Sequence, residues 1–288
     1  MPPHPAVIRR IINAKGFLRA QNVPERIGAM KNKNNRIVVK VGTSTIINSK
    51  TGKINLRQMH ALARVLSDMR NSGYEVVLVS SGAIGVAMSK LGITERPADT
   101  KVKQSLAAIG QCELMALYDN MFADYHSTVA QILLTRPDVN SESRREHIKN
   151  TFSTLFEMGI IPIVNENDTV AVEEIEFGDN DNLSAIVAAL IKADILILFS
   201  DIDGLYDADP RSNPDAKLIS RVEDIESVEN NAGGAGSSLG TGGMVTKLQA
   251  AKLANDAGIS MMILNGKNID SLYDVMDGKK VGTLFKAY

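Results

Sequence analysis

Apolar and polar positions along the chain fall into two alternating regimes. From position 36 onward, short β-branched runs are separated by longer stretches in which apolar residues recur every three or four positions. That alternation predicts stacked βα units around a mostly parallel sheet. Arg36 to Val41 (RIVVKV) and Glu75 to Ser80 (EVVLVS) read as buried strands. Between them, Leu56, Met59, Leu62, Ala63, Leu66 and Met69 mark one face of a helix that Asn55 can cap and Gly73 can end. Further strands are expected at Val129 to Leu134, Ile160 to Asn165, Ile195 to Ser200 and Ile259 to Leu264, with helices near 103–124, 144–158, 182–192 and 244–257. Thr169 to Phe177 alternates Val170, Val172, Ile175 and Phe177 with polar neighbours, the pattern of an exposed hairpin beside a site. No internal repeat interrupts the series. The expected class is therefore α/β, an open, mostly parallel sheet sandwiched by helices, in one domain.

Composition removes several alternatives. The 288 residues are 44% hydrophobic and 23% charged, proportions of a globular chain rather than a disordered, collagen-like or coiled-coil one. The longest apolar candidate, Ile186 to Phe199, is broken by Lys192 and Asp194 and falls short of the roughly 20 residues a bilayer requires, so no membrane partner is expected. One cysteine, Cys112, cannot close an internal disulfide, and His4, His60, His126 and His147 form no zinc-like cluster. A reducing, cytoplasmic setting without a structural metal follows. A net charge of -1 gives no footprint for nucleic acid. That balance conceals an asymmetry, because residues 1–35 carry seven bases against the single acid Glu25. This basic extension reads as disordered, or as lying ahead of a start at Met30. It contains no serine, which organelle-targeting leaders favour.

In open α/β sheets ligands bind at the carboxyl ends of the strands, so the residues just after each predicted strand carry the information. Lys40 lies inside the first strand and is followed by Gly42-Thr43-Ser44; a lysine in a buried strand needs an anionic partner. Ser80-Ser81-Gly82-Ala83-Ile84-Gly85 is a small-residue turn into a helix whose free amides suit a carboxylate or phosphate. Asn165-Glu166-Asn167-Asp168 and Gly178-Asp179-Asn180-Asp181-Asn182 follow as polar clusters. Taken singly, each has an ordinary explanation, and Asp181 or Asn182 could simply cap the helix after it. Four such loops at equivalent topological positions are harder to dismiss. A fifth, Ser237 to Lys247, opens a helix with glycines and delivers a lysine one turn inside it, a form that can approach phosphate through backbone amides and a point charge. Neither the P-loop spacing nor G-x-G-x-x-G is present, and His147 reads as a surface helix residue.

With these segments assembled, the chain resembles the amino acid kinase family, and within it the members that phosphorylate the γ-carboxylate of L-glutamate at the start of proline biosynthesis. The resemblance runs from Arg36 to Phe285. It is carried by VVKVGTS (Val38 to Ser44), VSSGAIGVA (Val79 to Ala87), LLTRPD (Leu133 to Asp138), PIVNENDTVA (Pro162 to Ala171), FGDNDNLSA (Phe177 to Ala185), SDIDGLYDADPR (Ser200 to Arg211), LGTGGMVTKLQAA (Leu239 to Ala251) and VGTLF (Val281 to Phe285). It implies that Lys40 and Lys247 contact the transferring phosphoryl group while Asp181 orients both. It further implies that Ser81, Asn165, Asp168, Asp179 and Asn180 surround the substrate. Ser200, Asp201, Thr241, Gly242, Gly243, Met244, Val245, Thr246 and Lys247 would form the ATP site, with Lys40 again at the phosphates. Ser200 stands where the family usually has threonine, and keeps the hydroxyl.

The resemblance also implies ATP with Mg²⁺, proline as a feedback inhibitor, a homo-oligomer, and coupling to a glutamyl phosphate reductase. Many members carry an additional PUA domain after VGTLF, and none is expected here. Two alternatives stay open at this level. One is a kinase of the same scaffold acting on N-acetylglutamate, aspartate, carbamate or UMP, and the other is a sensor that binds without turnover.

Overall fold

The computed structural model describes residues 35–170, 180–208, 210, 212–232 and 242–288. The basic N-terminal extension and nearly all of the expected hairpin lie outside them. Ten strands are described: β1 (Arg36–Val41), β2 (Glu75–Ser80), β3 (Val129–Leu134), β4 (Ile161–Glu166), β5 (Ile195–Ser200), β6 (Leu205–Tyr206), β7 (Leu218–Ile219), β8 (Arg221–Val222), β9 (Ser260–Asn265) and β10 (Thr283–Phe285). The helices among the described residues are α1 (Thr43–Ile46), α2 (Leu56–Asn71), α3 (Ala83–Leu91), α4 (Thr100–Ala123), α5 (Arg136–Asn140), α6 (Glu142–Glu157), α7 (Asn180–Ile191), α8 (Ile225–Ala232), α9 (Gly242–Asp256) and α10 (Ser271–Met276). None is long and apolar enough to cross a membrane.

The main sheet runs β3-β4-β2-β1-β5-β9-β10-β8, with β6 and β7 forming a separate small ribbon. Every pairing from β3 to β9 is parallel, and only β10 runs antiparallel to β9. The chain builds outward from β1 on one side as far as β4 and β3, then crosses back to β5 on the other. That reversal makes β1 a topological switch point, where the ends of parallel strands open a crevice.

Helices cover both faces. Ile37, Val39 and Val41 of β1, with Leu78, Ile197 and Phe199, pack under α2, α4 and α10 through Met59, Leu66, Leu114, Tyr118, Phe122 and Leu272. Val38, Val77, Val79 and Leu198 face the opposite layer, where α6, α7 and α9 contribute Phe152, Leu183, Val187, Leu248 and Ala251. Burying one such aliphatic side chain is worth roughly 1.5–3 kcal/mol, so two covered faces are what keep these strands unbroken and β-branched. As expected, Asn55 caps α2, its Oδ1 accepting from the Gln58 N–H at 3.4 Å, and the helix stops before Gly73 at φ +93°. Cys112 is free and exposed.

Candidate active site

Lys40 follows from strand alternation. Side chains two apart share a face, so Lys40 points with Val38 into the α7 layer rather than into the α2 layer. It is only 4% exposed, and its Nζ forms an ion pair with Asp181 Oδ1. Asp181 occupies the first turn of α7 and is completely buried. Its Oδ2 receives the Lys247 Nζ at 3.1 Å and the Thr246 hydroxyl at 3.4 Å, both from the first turns of α9. The Lys247 ammonium also donates to the Gly243 carbonyl at 3.1 Å. Burial alone would push the Asp181 carboxyl up, but the two ammonium groups outweigh it and hold its pKa below the ordinary carboxylate range. The capping role open to Asp181 from sequence is thereby corrected. The helix begins two residues before the expected 182, at Asn180, and the carboxylate faces two lysines instead of its own backbone amides.

A second group surrounds Asn180, the residue before Asp181. Its Nδ2 lies 2.9 Å from the Ser80 carbonyl, 2.9 Å from Ser81 Oγ and 2.9 Å from Asn165 Oδ1. Ser81 leaves β2 at a turn that Gly82 completes at φ +97°, a conformation that favours glycine. The turn opens α3 without a side-chain cap, which leaves its first backbone amides available. Ser81, Asn165, Asp168 and Asn180 all line one cleft of about 770 Å³. Lys50, Lys53, Arg96 and Lys103 line it as well.

Ser200 and Asp201 sit at the end of β5, on the other side of β1, with the Ser200 hydroxyl 3.1 Å from Asp201. Met244 and Val245 precede Thr246 and Lys247 on α9, and Val245 is exposed. Gly242 and Gly243 begin that helix, while Asp179 and Thr241 lie outside the described residues.

Two side chains of α4 and the four cations of the cleft were not anticipated from sequence. Gln111 of α4 accepts from Asn165 Nδ2 at 2.8 Å, and the Tyr118 hydroxyl lies 2.8 Å from that of Ser80. Both fall on the helix face that also buries Ala107 and Leu114, so a polar side chain on an apolar stripe was the available signal. The cations of the cleft had no signal in the sequence, since single lysines and arginines in loops are ordinary. Among the described residues, no three His, Cys, Asp or Glu side chains are grouped to hold a metal ion.

The amino acid kinase family model matches residues 35–265. The chain belongs to this family. Among its curated members, glutamate 5-kinase of Clostridium perfringens is 53% identical over 257 residues, covering 88% of this chain and 95% of that protein. Glutamate 5-kinase of Listeria innocua is 52% identical over 262 residues, covering 89% and 94%. The amino acid kinase fold extends to solved structures of much lower identity. UMP kinase from Bacillus anthracis superposes with a TM-score of 0.61 at 15% identity, over 88% of this chain and 96% of that one.

Chemically, the arrangement places two cations and one anion at the switch point of an amino acid kinase sheet. The net positive charge is desolvated, so it acts through a lower effective dielectric than water. Such a cluster suits an anion that gains charge during reaction, next to a cleft whose wall supplies amides and hydroxyls.

Proposed function

We propose that the chain transfers the γ-phosphoryl group of ATP to the γ-carboxylate of L-glutamate, giving ADP and L-glutamyl 5-phosphate, the entry to proline biosynthesis. The observation that carries this reading is the buried Lys40–Asp181–Lys247 cluster beside a cleft walled by Ser81, Asn165, Asp168 and Asn180, in a chain about half identical to glutamate 5-kinases. The acceptor is already a carboxylate at neutral pH, so no general base is required. The obstacle is to bring an anionic nucleophile in line with an anionic triphosphate. Positioning and charge neutralisation are what this chemistry demands.

In this reading Lys40 and Lys247 meet the transferring phosphoryl group as it passes from the bridging oxygen of ADP to the glutamate oxygen. Asp181 is a positioning residue that sets the direction of both ammonium groups. Ser81, Asn165, Asp168, Asp179 and Asn180 hold the amino acid. Ser200, Asp201 and the segment Thr241 to Lys247 hold the nucleotide, which enters as its Mg²⁺ complex. Residues 36–288 act as the kinase domain. The same reading carries a cytoplasmic setting, a homo-oligomeric assembly, proline as feedback inhibitor, and hand-over of the labile acyl phosphate to a reductase.

The test is ATP-dependent hydroxamate formation with L-glutamate, run beside N-acetylglutamate and aspartate, with ADP release followed for UMP and carbamate. A glutamate-specific hydroxamate that disappears in Lys247→Met is the expected result. Turnover of another acceptor would move the substrate, and ligand binding without turnover would reduce the protein to a sensor.

A further inference from the structure

Asn165 and Asn180 of the cleft wall, with Gln111 behind them, form a run of side-chain amides whose orientations are set by backbone groups. The Glu166 N–H can only donate, and it lies 2.9 Å from Asn165, so the contacting atom is the Asn165 oxygen. The Ser80 carbonyl can only accept, and it lies 2.9 Å from Asn180, so the contacting atom there is the Asn180 nitrogen. That nitrogen shares its two N–H groups among Ser80, Ser81 and the Asn165 oxygen. With its oxygen taken, Asn165 must donate through Nδ2 in the remaining direction. The receiving atom is Gln111 Oε1, 2.8 Å away on α4.

Both residues are shielded, with Asn165 at 3% and Gln111 at 9% exposure, so bulk water is a poor substitute for this acceptor. A half-turn of the Asn165 amide would set its nitrogen against the Glu166 N–H and against Asn180 Nδ2, two donors facing a third. The amides therefore move as a unit or not at all. Because protein acceptors engage Asn180 Nδ2, its Oδ1 is the polar atom left to a ligand in the cleft. That atom is an acceptor, and an ammonium group is its natural partner. A neutral N-acyl amide matches it less well.

We infer that Gln111 is a positioning residue for the acceptor substrate: by taking the Asn165 N–H it locks both asparagines and presents the Asn180 carbonyl oxygen to a free α-amino group. The inference rests on the glutamate reading above. The same helix supports the adjoining turn through Tyr118 and Ser80, so α4 serves as the back plate of the amino-acid site.

The experiment compares the full chain with Gln111→Met, which keeps the length and loses the acceptor, and Gln111→Glu, which keeps an acceptor oxygen. Hydroxamate kinetics give kcat and the KM for glutamate and for ATP, with melting temperatures recorded alongside. Gln111→Met is expected to raise the glutamate KM about 10-fold, the size expected when a buried donor loses its partner, and to leave the ATP KM within about twofold. Its preference for glutamate over N-acetylglutamate should narrow, and Gln111→Glu should recover most of the loss. Should Gln111→Met fail to fold, Gln111→Asn withdraws the acceptor by one methylene and reads the same split. A lowered melting temperature with both KM values unchanged would overturn the inference while leaving the glutamate reading intact. Wild-type protein that forms no glutamyl hydroxamate would overturn both.

Discussion

Replacing Asp181 by asparagine removes one charge and almost no volume, which isolates what the carboxylate does between two lysines. At an effective dielectric near 20, the 3.1 Å contact to Lys247 alone corresponds to about 5 kcal/mol of attraction. Desolvation of the buried ions offsets much of this, and breaking such a pair from one side typically costs about 3–5 kcal/mol. Asparagine would in addition turn an N–H toward one of the two ammonium groups. At the low end, about 3 kcal/mol, the melting temperature of a 288-residue chain should fall by roughly 5 °C.

The catalytic loss should be larger than the stability loss suggests, because both lysines are released from their direction at once. A drop in kcat of about 10²-fold or more is expected, comparable to deleting one pre-positioned charge. The assay is hydroxamate formation at saturating glutamate and ATP, below the melting temperature of each variant. The double variant with Lys247→Met separates orientation from bulk electrostatics. If Asp181 works through the lysines, its loss should matter much less once Lys247 is gone. Retention of kcat within about threefold in Asp181→Asn, or full additivity in the double variant, would rule out a positioning role for Asp181.

Three further outcomes follow from the same geometry. Lys40→Met should lower kcat by about 10²-fold with little change in the glutamate KM, and a KM effect alone in steady-state kinetics would reassign Lys40 to binding. Gly110→Ala should be strongly destabilising and should raise the glutamate KM, since a Cβ there would lie 1.7 Å from the Ala83 carbonyl at the start of α3. In a solvent-facing helix position the same change stabilises by about 1 kcal/mol, so a thermal melt decides the sign. The depressed Asp181 pKa means its contribution is complete above the unfolded value of about 3.9 and disappears only as pH falls through the lower folded value. Urea melts should therefore show a constant stability gap between wild type and Asp181→Asn from pH 8 down to about pH 4; a gap already closing at pH 6 would contradict the ion-pair account.

What the sequence determined by itself was local and repetitive. β1, β2, β3 and β5 coincide with their β-branched runs to the residue, and β4 differs by one position, because a strand covered on both faces leaves an uninterrupted apolar signal. Lys40 was legible as a buried cation in want of an anion, since strand alternation and charge cost apply before any fold is known. The polar turns after β2 and β4 were legible for the same topological reason.

The partner of Lys40 was another matter. Asp181 read equally well as a helix cap, and only the passage of α7 over β1 turned it into a bridge between Lys40 and Lys247, residues separated by most of the chain. Gln111 stands 54 positions from Asn165, and Gly110 meets Ala83 only because α4 crosses α3 at contact distance. Periodicity reports which face of an element is buried, not what lies on the other side of the contact. Strand order and helix crossing are decided by non-local packing, so the residues that orient the site from behind appear only when the chain is folded.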